Sequence, residues 1–298
     1  MKVLKSFGTG IRRSAKEVKM ILILWGFNAL FAIPLYFLVS GYLKNALGSS
    51  ILSESLFKNF DFSVLLELLV HRGDPLRTIF SVSLLLGALF FLVSTFLHGG
   101  ILFTLIHSRN KEDGPAAANR IRRIFFEGGG KYFGRFFRLT LYSLLLWFAG
   151  AMLFFILNEI LKPLTATGFD EKLMFYMVVL KAAFAVFLFF MIRMILDYAR
   201  VMIVFQDTGD VFLSLLRGVS FVFKRPGKTL GLYYLLVLTG LAVYLLYGTV
   251  QNLMPDYSYA FMVVSFVIGQ VFILSRGWLK IFFQASQIHF YSLARTQA

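Results

Sequence analysis

The sequence contains no cysteine. That removes disulfides, thiolate metal ligands and cysteine nucleophiles together, and leaves the redox compartment undetermined. Charge is scarce as well: 15% of the residues are Asp, Glu, Lys or Arg, against about 25% in an average soluble domain. Histidine occurs four times, at His71, His98, His107 and His289, and none stands at a metal-ligand spacing such as H-E-x-x-H. There is no G-x-S-x-G, no phosphate-cradling G-x-x-x-x-G-K-[ST], and no pair of acidic residues inside an apolar run. The residue patterns therefore point to no catalytic residue, no metal site and no cofactor, and to a protein that is not an enzyme.

What the chain has in excess is apolar surface. Of its 298 residues 58% are hydrophobic, 36 are Phe, and the mean hydropathy is +0.76. A water-soluble fold of this size cannot hide that much Phe, Leu, Val and Ile, so the expected solvent is lipid. A helix needs about 20 predominantly apolar residues to cross the hydrocarbon core. Six segments qualify: residues 20–39, 79–97, 139–158, 173–192, 229–250 and 257–275. Five carry no charge and the fourth carries only Lys181. The runs are continuously apolar rather than alternating, which excludes a β-barrel and leaves helices, whose backbone hydrogen bonds are internal. The first run is too long for a secretory signal core of about 7–15 residues and is expected to be retained as a span.

The distribution of Lys and Arg orients the spans. The N-terminal segment, the loops after the second and fourth spans, and the C-terminal tail together hold 22 basic residues, and the opposite side holds six. The positive-inside rule then places both termini in the cytoplasm. It also accounts for the net charge of +15. The cations sit at span ends, where each gains about 1 kcal/mol from anionic headgroups. They form no soluble basic domain, so nucleic acid is not an expected partner.

A unit recurs three times. A basic amphipathic stretch precedes each odd-numbered span. Before the first, Val3, Leu4, Phe7 and Ile11 share a face among Lys2, Lys5, Arg12 and Arg13. Before the third, Arg120, Arg122 and Arg123 interleave with Ile121, Ile124 and Phe125. A break at Gly128-Gly129-Gly130 is expected to separate these from Lys131, Arg135 and Arg138 with their own Phe residues. Before the fifth, Phe212, Leu215, Leu216, Val219 and Phe223 form a helical stripe with Arg217, Lys224 and Arg225, after Asp210 as an expected N-cap. Such elbow helices lie in the interface with cations beside phosphate.

The even-numbered spans run on past the membrane in segments that superpose with Gly99, Ala199 and Ala285 in register. The expected fold is therefore all-α: six transmembrane helices in one polytopic domain, arranged as three hairpins repeated in the same orientation, each with its elbow helix. The loop at residues 40–78 is expected to carry a short helix, with Phe62, Leu65, Leu66, Leu69 and Val70 on one face after Asp61.

Ionisable residues at membrane depth are costly and mark candidate sites. Arg193, Asp197 and Arg200 are spaced i, i+4, i+7 on one helical face. They read either as a polar site gripping a headgroup or ion, or as an ion-pair ladder at the interface. Lys181 reads as a buried lipid-binding cation or as a snorkelling one. Arg276 and Lys280, one turn apart at the end of span six, face headgroups or the Asp197 region.

The segment ILDYARVMIVFQDTGDVFLSLLRGVSFVFK, residues 195–224, resembles that of bacterial six-span membrane proteins of the YciC-like type and the membrane domain fused to some glycerophosphodiester phosphodiesterases. The resemblance implies a cytoplasmic-membrane protein with an envelope or lipid-related role and no catalytic residues. No phosphodiesterase domain is present, so that activity does not carry over. The expected partners are phospholipids through their anionic headgroups, or an envelope protein. The alternative is a transporter or channel subunit with a polar path along span four.

Overall fold

A computed structural model of the chain describes residues 2–47, 73–107, 115–166, 171–253 and 259–296. Eight α-helices and no strand occur among the described residues: α1 (Lys2–Ser14), α2 (Val18–Leu47), α3 (Gly73–His107), α4 (Pro115–Ala166), α5 (Glu171–Gln206), α6 (Val211–Lys224), α7 (Pro226–Asn252) and α8 (Tyr259–Arg295). Six of them, all but α1 and α6, are long and apolar enough to cross a membrane. The helical stripe expected at Phe62 to Val70 lies outside the described residues.

The chain divides into two compact units. Residues 22–94 form one, in which α2 and α3 meet edge to face at Phe31 and Phe90, ring centroids 5.4 Å apart. Residues 1–21 and 95–298 form the other, and it holds the core: Met20, Leu102, Leu105, Phe125, Tyr132, Met194, Tyr198, Phe282 and Phe290 are all fully buried.

That core is organised by three close helix crossings, each between an elbow and the run-on end of an even-numbered span. At the first, α1 lies on α8: a Cβ at Gly10 would collide with the Ser286 side chain, and Phe7 and Phe282 meet edge to face at 5.2 Å. At the second, the start of α4 lies on the end of α3. A Cβ at Gly100 would stand 2.7 Å from the Phe125 carbonyl oxygen, and one at Gly99 would stand 3.1 Å from that of Gly128. At the third, α6 lies on α5, where a Cβ at Gly218 would meet the Ile195 carbonyl oxygen at 3.1 Å and Ala199 Cβ at 3.3 Å. Elbow two therefore rests on span two, elbow three on span four and elbow one on span six. The repeat legible in the sequence recurs as a repeat in packing. Small residues at such crossings let backbones approach closely where lipid provides no hydrophobic drive.

Two expectations are corrected, the glycine break and the Asp210 cap. The elbow before span three is not a separate helix: α4 runs unbroken through Gly128-Gly129-Gly130. Gly128 and Gly129 instead make room for the rings of Phe103 and Phe96. The elbows bury their small residues. On α1 the buried stripe is Ser6, Gly10 and Ser14, while Leu4 is 68% exposed and Ile11 37% exposed. On α6 the buried face is Val211, Ser214, Leu215, Gly218 and Val222, and Phe212, Leu216 and Phe223 are exposed. The small residues face protein and the large apolar ones face outward. Finally, Asp210 holds the N-cap position without a side-chain cap bond; Ser214 Oγ donates to its carbonyl at 2.9 Å.

Candidate functional site

The run-on of α5 beyond its apolar stretch carries Arg193, Asp197 and Arg200 to the face it shares with α8 and α7. On α8, Lys280, Gln284 and Gln287 stand at i, i+4 and i+7 and so share one side of that helix. Asp197 joins the two helices. Its Oδ1 accepts from Arg200 NH1 at 2.9 Å and its Oδ2 accepts from Gln287 Nε2 at 3.3 Å. Tyr233 of α7, only 6% exposed, hydrogen-bonds to Arg193 and lies in the field of Asp197 and Arg200. Its ring packs against Phe190 and Phe283, with centroids 6.0 and 6.2 Å away. Lys280 lies in the field of both Arg200 and Arg193. It forms no ion pair or hydrogen bond among the described residues.

One carboxylate thus stands among three cations, and among the described residues Arg200 alone of the three bonds to it, while Arg193 is exposed. Removing charge from water without pairing it costs several kcal/mol per ion, so an excess of cations at such a place favours an anion. The donors suit phosphate: a guanidinium fork can hold two of its oxygens, and an ammonium acts as a point charge. Gln284 lies between Lys280 and Gln287, and its Oε1 is buried without a partner. Interchanging the ends of that amide would turn a donor to the same position. On the membrane side of Arg193 the surface becomes apolar at once, with Val186, Phe187 and Phe189 exposed. The site is therefore built like the junction of a headgroup with its acyl chains.

Of the residues singled out for this site in the sequence, Arg193, Asp197, Arg200 and Lys280 come together. The three arginine and aspartate residues form no continuous ladder, since Asp197 pairs with Arg200 and Arg193 turns to Tyr233. Arg276 is exposed one turn before Lys280. Lys181 stands twelve residues before Arg193 on α5, roughly 18 Å of helical rise away, and takes no part. Tyr233, Gln284 and Gln287 were not anticipated. The spacing of the two glutamines from Lys280 was the available signal.

The elbow cations fall into two groups. Arg122, Arg123 and Lys224 are exposed without a partner among the described residues, and Arg120 is exposed as well. The others are tied to the protein. Asp207, just past the end of α5 with φ +49°, accepts from Lys131 Nζ at 2.7 Å, Arg135 NH1 at 2.6 Å and the Tyr132 hydroxyl at 2.9 Å. The hydrogen bond from Lys131, then that from Arg135, hold its carboxyl well below the usual carboxylate range. Arg217 donates to Gln206 Oε1 at 2.9 Å, Arg138 to the Gly134 carbonyl at 3.3 Å, and Arg225 to the Ala294 carbonyl at 3.1 Å. Elbow cations expected to face headgroups therefore also pin the elbows in place. No group of three or more His, Asp or Glu residues suited to a metal occurs among the described residues.

No protein-family model matches the chain, and neither a curated protein nor a solved structure is significantly similar to it.

Proposed function

We propose that this protein is a non-enzymatic membrane protein of the bacterial inner membrane, with both termini in the cytoplasm, that holds or senses anionic phospholipid. The observation that supports this reading is the surplus of cations at the α5–α8 contact, where Asp197 pairs with Arg200 and Lys280 lies in the field of Arg200 and Arg193 beside exposed apolar surface. A phosphodiester headgroup supplies the missing negative charge and its acyl chains continue along the apolar helices. The exposed Arg120, Arg122 and Arg123 on α4 supply long-range attraction to the same leaflet. The resemblance to YciC-like membrane proteins accords with an envelope role, including the anchoring of an envelope partner.

Native mass spectrometry of the purified protein tests it. Wild type is expected to retain phospholipid, and Lys280→Ala to retain several-fold less, with Lys280→Arg restoring it. Wild-type protein free of lipid would count against the reading. A transporter or channel subunit is the second reading, favoured by Lys181 inside span four, which has no pairing carboxylate among the described residues. It requires solute or ion flux in proteoliposomes that falls with Lys181→Ala.

A further inference from the structure

A second basic cluster lies away from the α5–α8 site. Lys2 at the start of α1, Arg225 at the joint between α6 and α7, and Lys228 in the first turn of α7 line one pocket floored by Phe290 and Ala294 of α8. Lys2 lies more than two hundred residues along the chain from Arg225 and Lys228, and among the described residues no carboxylate lines the pocket. Arg225 is held there by its bond to the Ala294 carbonyl at 3.1 Å. Lys2 and Lys228 make no hydrogen bond or ion pair among the described residues, so their ammonium groups are available to a ligand. Helix α7 also begins here with no side-chain cap on its first turn, which adds the positive end of its dipole to the same field.

Like charges gathered around a concavity raise the potential inside it, and low-dielectric walls concentrate that field. The apolar floor from Phe290 and Ala294 removes part of the competing water. The volume selects the size of the ligand. About 180 Å³ is well below the roughly 300–1,000 Å³ of pockets that take drug-sized molecules. A nucleotide or sugar phosphate does not fit inside, whereas one tetrahedral oxyanion does.

We propose that this pocket is a phosphate-binding site, distinct from the α5–α8 site, that takes a single phosphate group from a lipid headgroup or from free phosphate. The occupant bridges α1, the α6–α7 joint and α8, and so fastens the first elbow to the last helix.

The test uses full-length protein in nanodiscs and inorganic phosphate as probe, followed by ³¹P line broadening. In discs of phosphatidylcholine alone, wild type is expected to broaden the phosphate line. The double variant Lys2→Ala/Lys228→Ala should bind at least about tenfold more weakly, a low figure for two charged hydrogen bonds. Should the double variant misfold, Lys228→Gln alone must still weaken binding several-fold. Phosphatidic acid in the discs separates the sources. If it displaces inorganic phosphate from wild type, the occupant is a lipid headgroup; if not, it is free phosphate. Any phosphate bound at the α5–α8 site is lost in Lys280→Ala, whereas the part lost in Lys2→Ala/Lys228→Ala must persist in Lys280→Ala, so failure of the α5–α8 reading and failure of this one are distinguishable. Equal phosphate binding by wild type and the double variant, or no phosphate binding together with equal phosphatidic acid retention in both, overturns the proposal.

Discussion

Helix α5 changes character along its length. From Met174 to Phe189 its side chains are exposed or half-buried, whereas from Ile192 to Val204 all but Arg193, Asp197 and Arg200 are buried. Helix α8 repeats the change, with Phe261 to Val271 outward or half-buried and Ile281 to Tyr291 largely buried. The run-on stretches are the less apolar of the two, with Arg193, Asp197 and Arg200 on α5 and Gln284, Gln287 and His289 on α8, yet they are the buried ones. What separates them is what they touch. The spanning stretches present their side chains to the surroundings, where lipid tails solvate them as well as protein would. The run-on stretches meet the elbows, and that is where the fold is held. Charges collect at the same end because it is the only part with enough protein contact to hold them beside water.

The glycines give the strongest way to break this contrast. At the crossings a side chain has no room: a Cβ at Gly100 would stand 2.7 Å from the Phe125 carbonyl oxygen, and backbone cannot be moved cheaply. In the spans, Gly240 and Gly248 have nothing within 4 Å of a Cβ. Gly100→Val is expected to destabilise the protein by about 1–3 kcal/mol through overpacking, read as a lower melting temperature in detergent. Gly240→Ala should be neutral or stabilising by up to about 1 kcal/mol, because it relieves the helix of a glycine. Equal effects at the two positions would show that the crossings do not hold the molecule together.

A smaller effect is expected where the elbow of α4 is pinned to the end of α5. Asp207→Asn removes the charge while keeping a residue that tolerates positive φ. Exposed ion pairs contribute about 0.2–1 kcal/mol each, so a loss near 1 kcal/mol is expected. The pH dependence carries a sign. The carboxyl pKa is depressed in the folded state, so its stabilisation is complete above the unfolded value of about 3.9 and is lost as pH falls through the folded one. Wild type and variant melts should differ by a constant amount from neutral pH to about pH 5, and converge only in strong acid. Convergence already near pH 6 would mean that Asp207 is not the group responsible.

The spans were legible in the sequence because hydrocarbon imposes a length and forbids charge, and both can be counted along the chain. The elbows were legible as interfacial elements with an apolar stripe, but not in the small residues that they bury. At an interface the large residues have lipid to face, and the informative positions are the small ones, Ser6, Gly10 and Ser14 on α1 and Ser214 and Gly218 on α6. Gly128-Gly129-Gly130 read as a break because each glycine costs about 1 kcal/mol in a helix; the close approach of α3 outweighed that. Within the candidate site, Arg193, Asp197 and Arg200 were visible because they lie on one helix. Their approach to Lys280 and the bond from Gln287 to Asp197 depend on how α5 meets α8, and Tyr233 is one tyrosine in an apolar run until that meeting is known.

The outward faces of the elbows make the smallest and most specific prediction. If the outward residues of α1 and α6 face acyl chains, a tryptophan placed there is in contact with lipid and one placed on the inner face is not. Ile11→Trp and Leu216→Trp should leave the melting temperature nearly unchanged, within about 0.5 kcal/mol of stability, since neither residue is buried. Their fluorescence should be quenched when the protein is reconstituted in lipids brominated on the acyl chain. Phe7→Trp reports from the seam with Phe282 of α8 and should be quenched less. The three native tryptophans are first replaced by Phe to clear the background. Quenching of Phe7→Trp at or above the level of Ile11→Trp would mean that α1 is rolled about its axis, and the Gly10–Ser286 crossing with it.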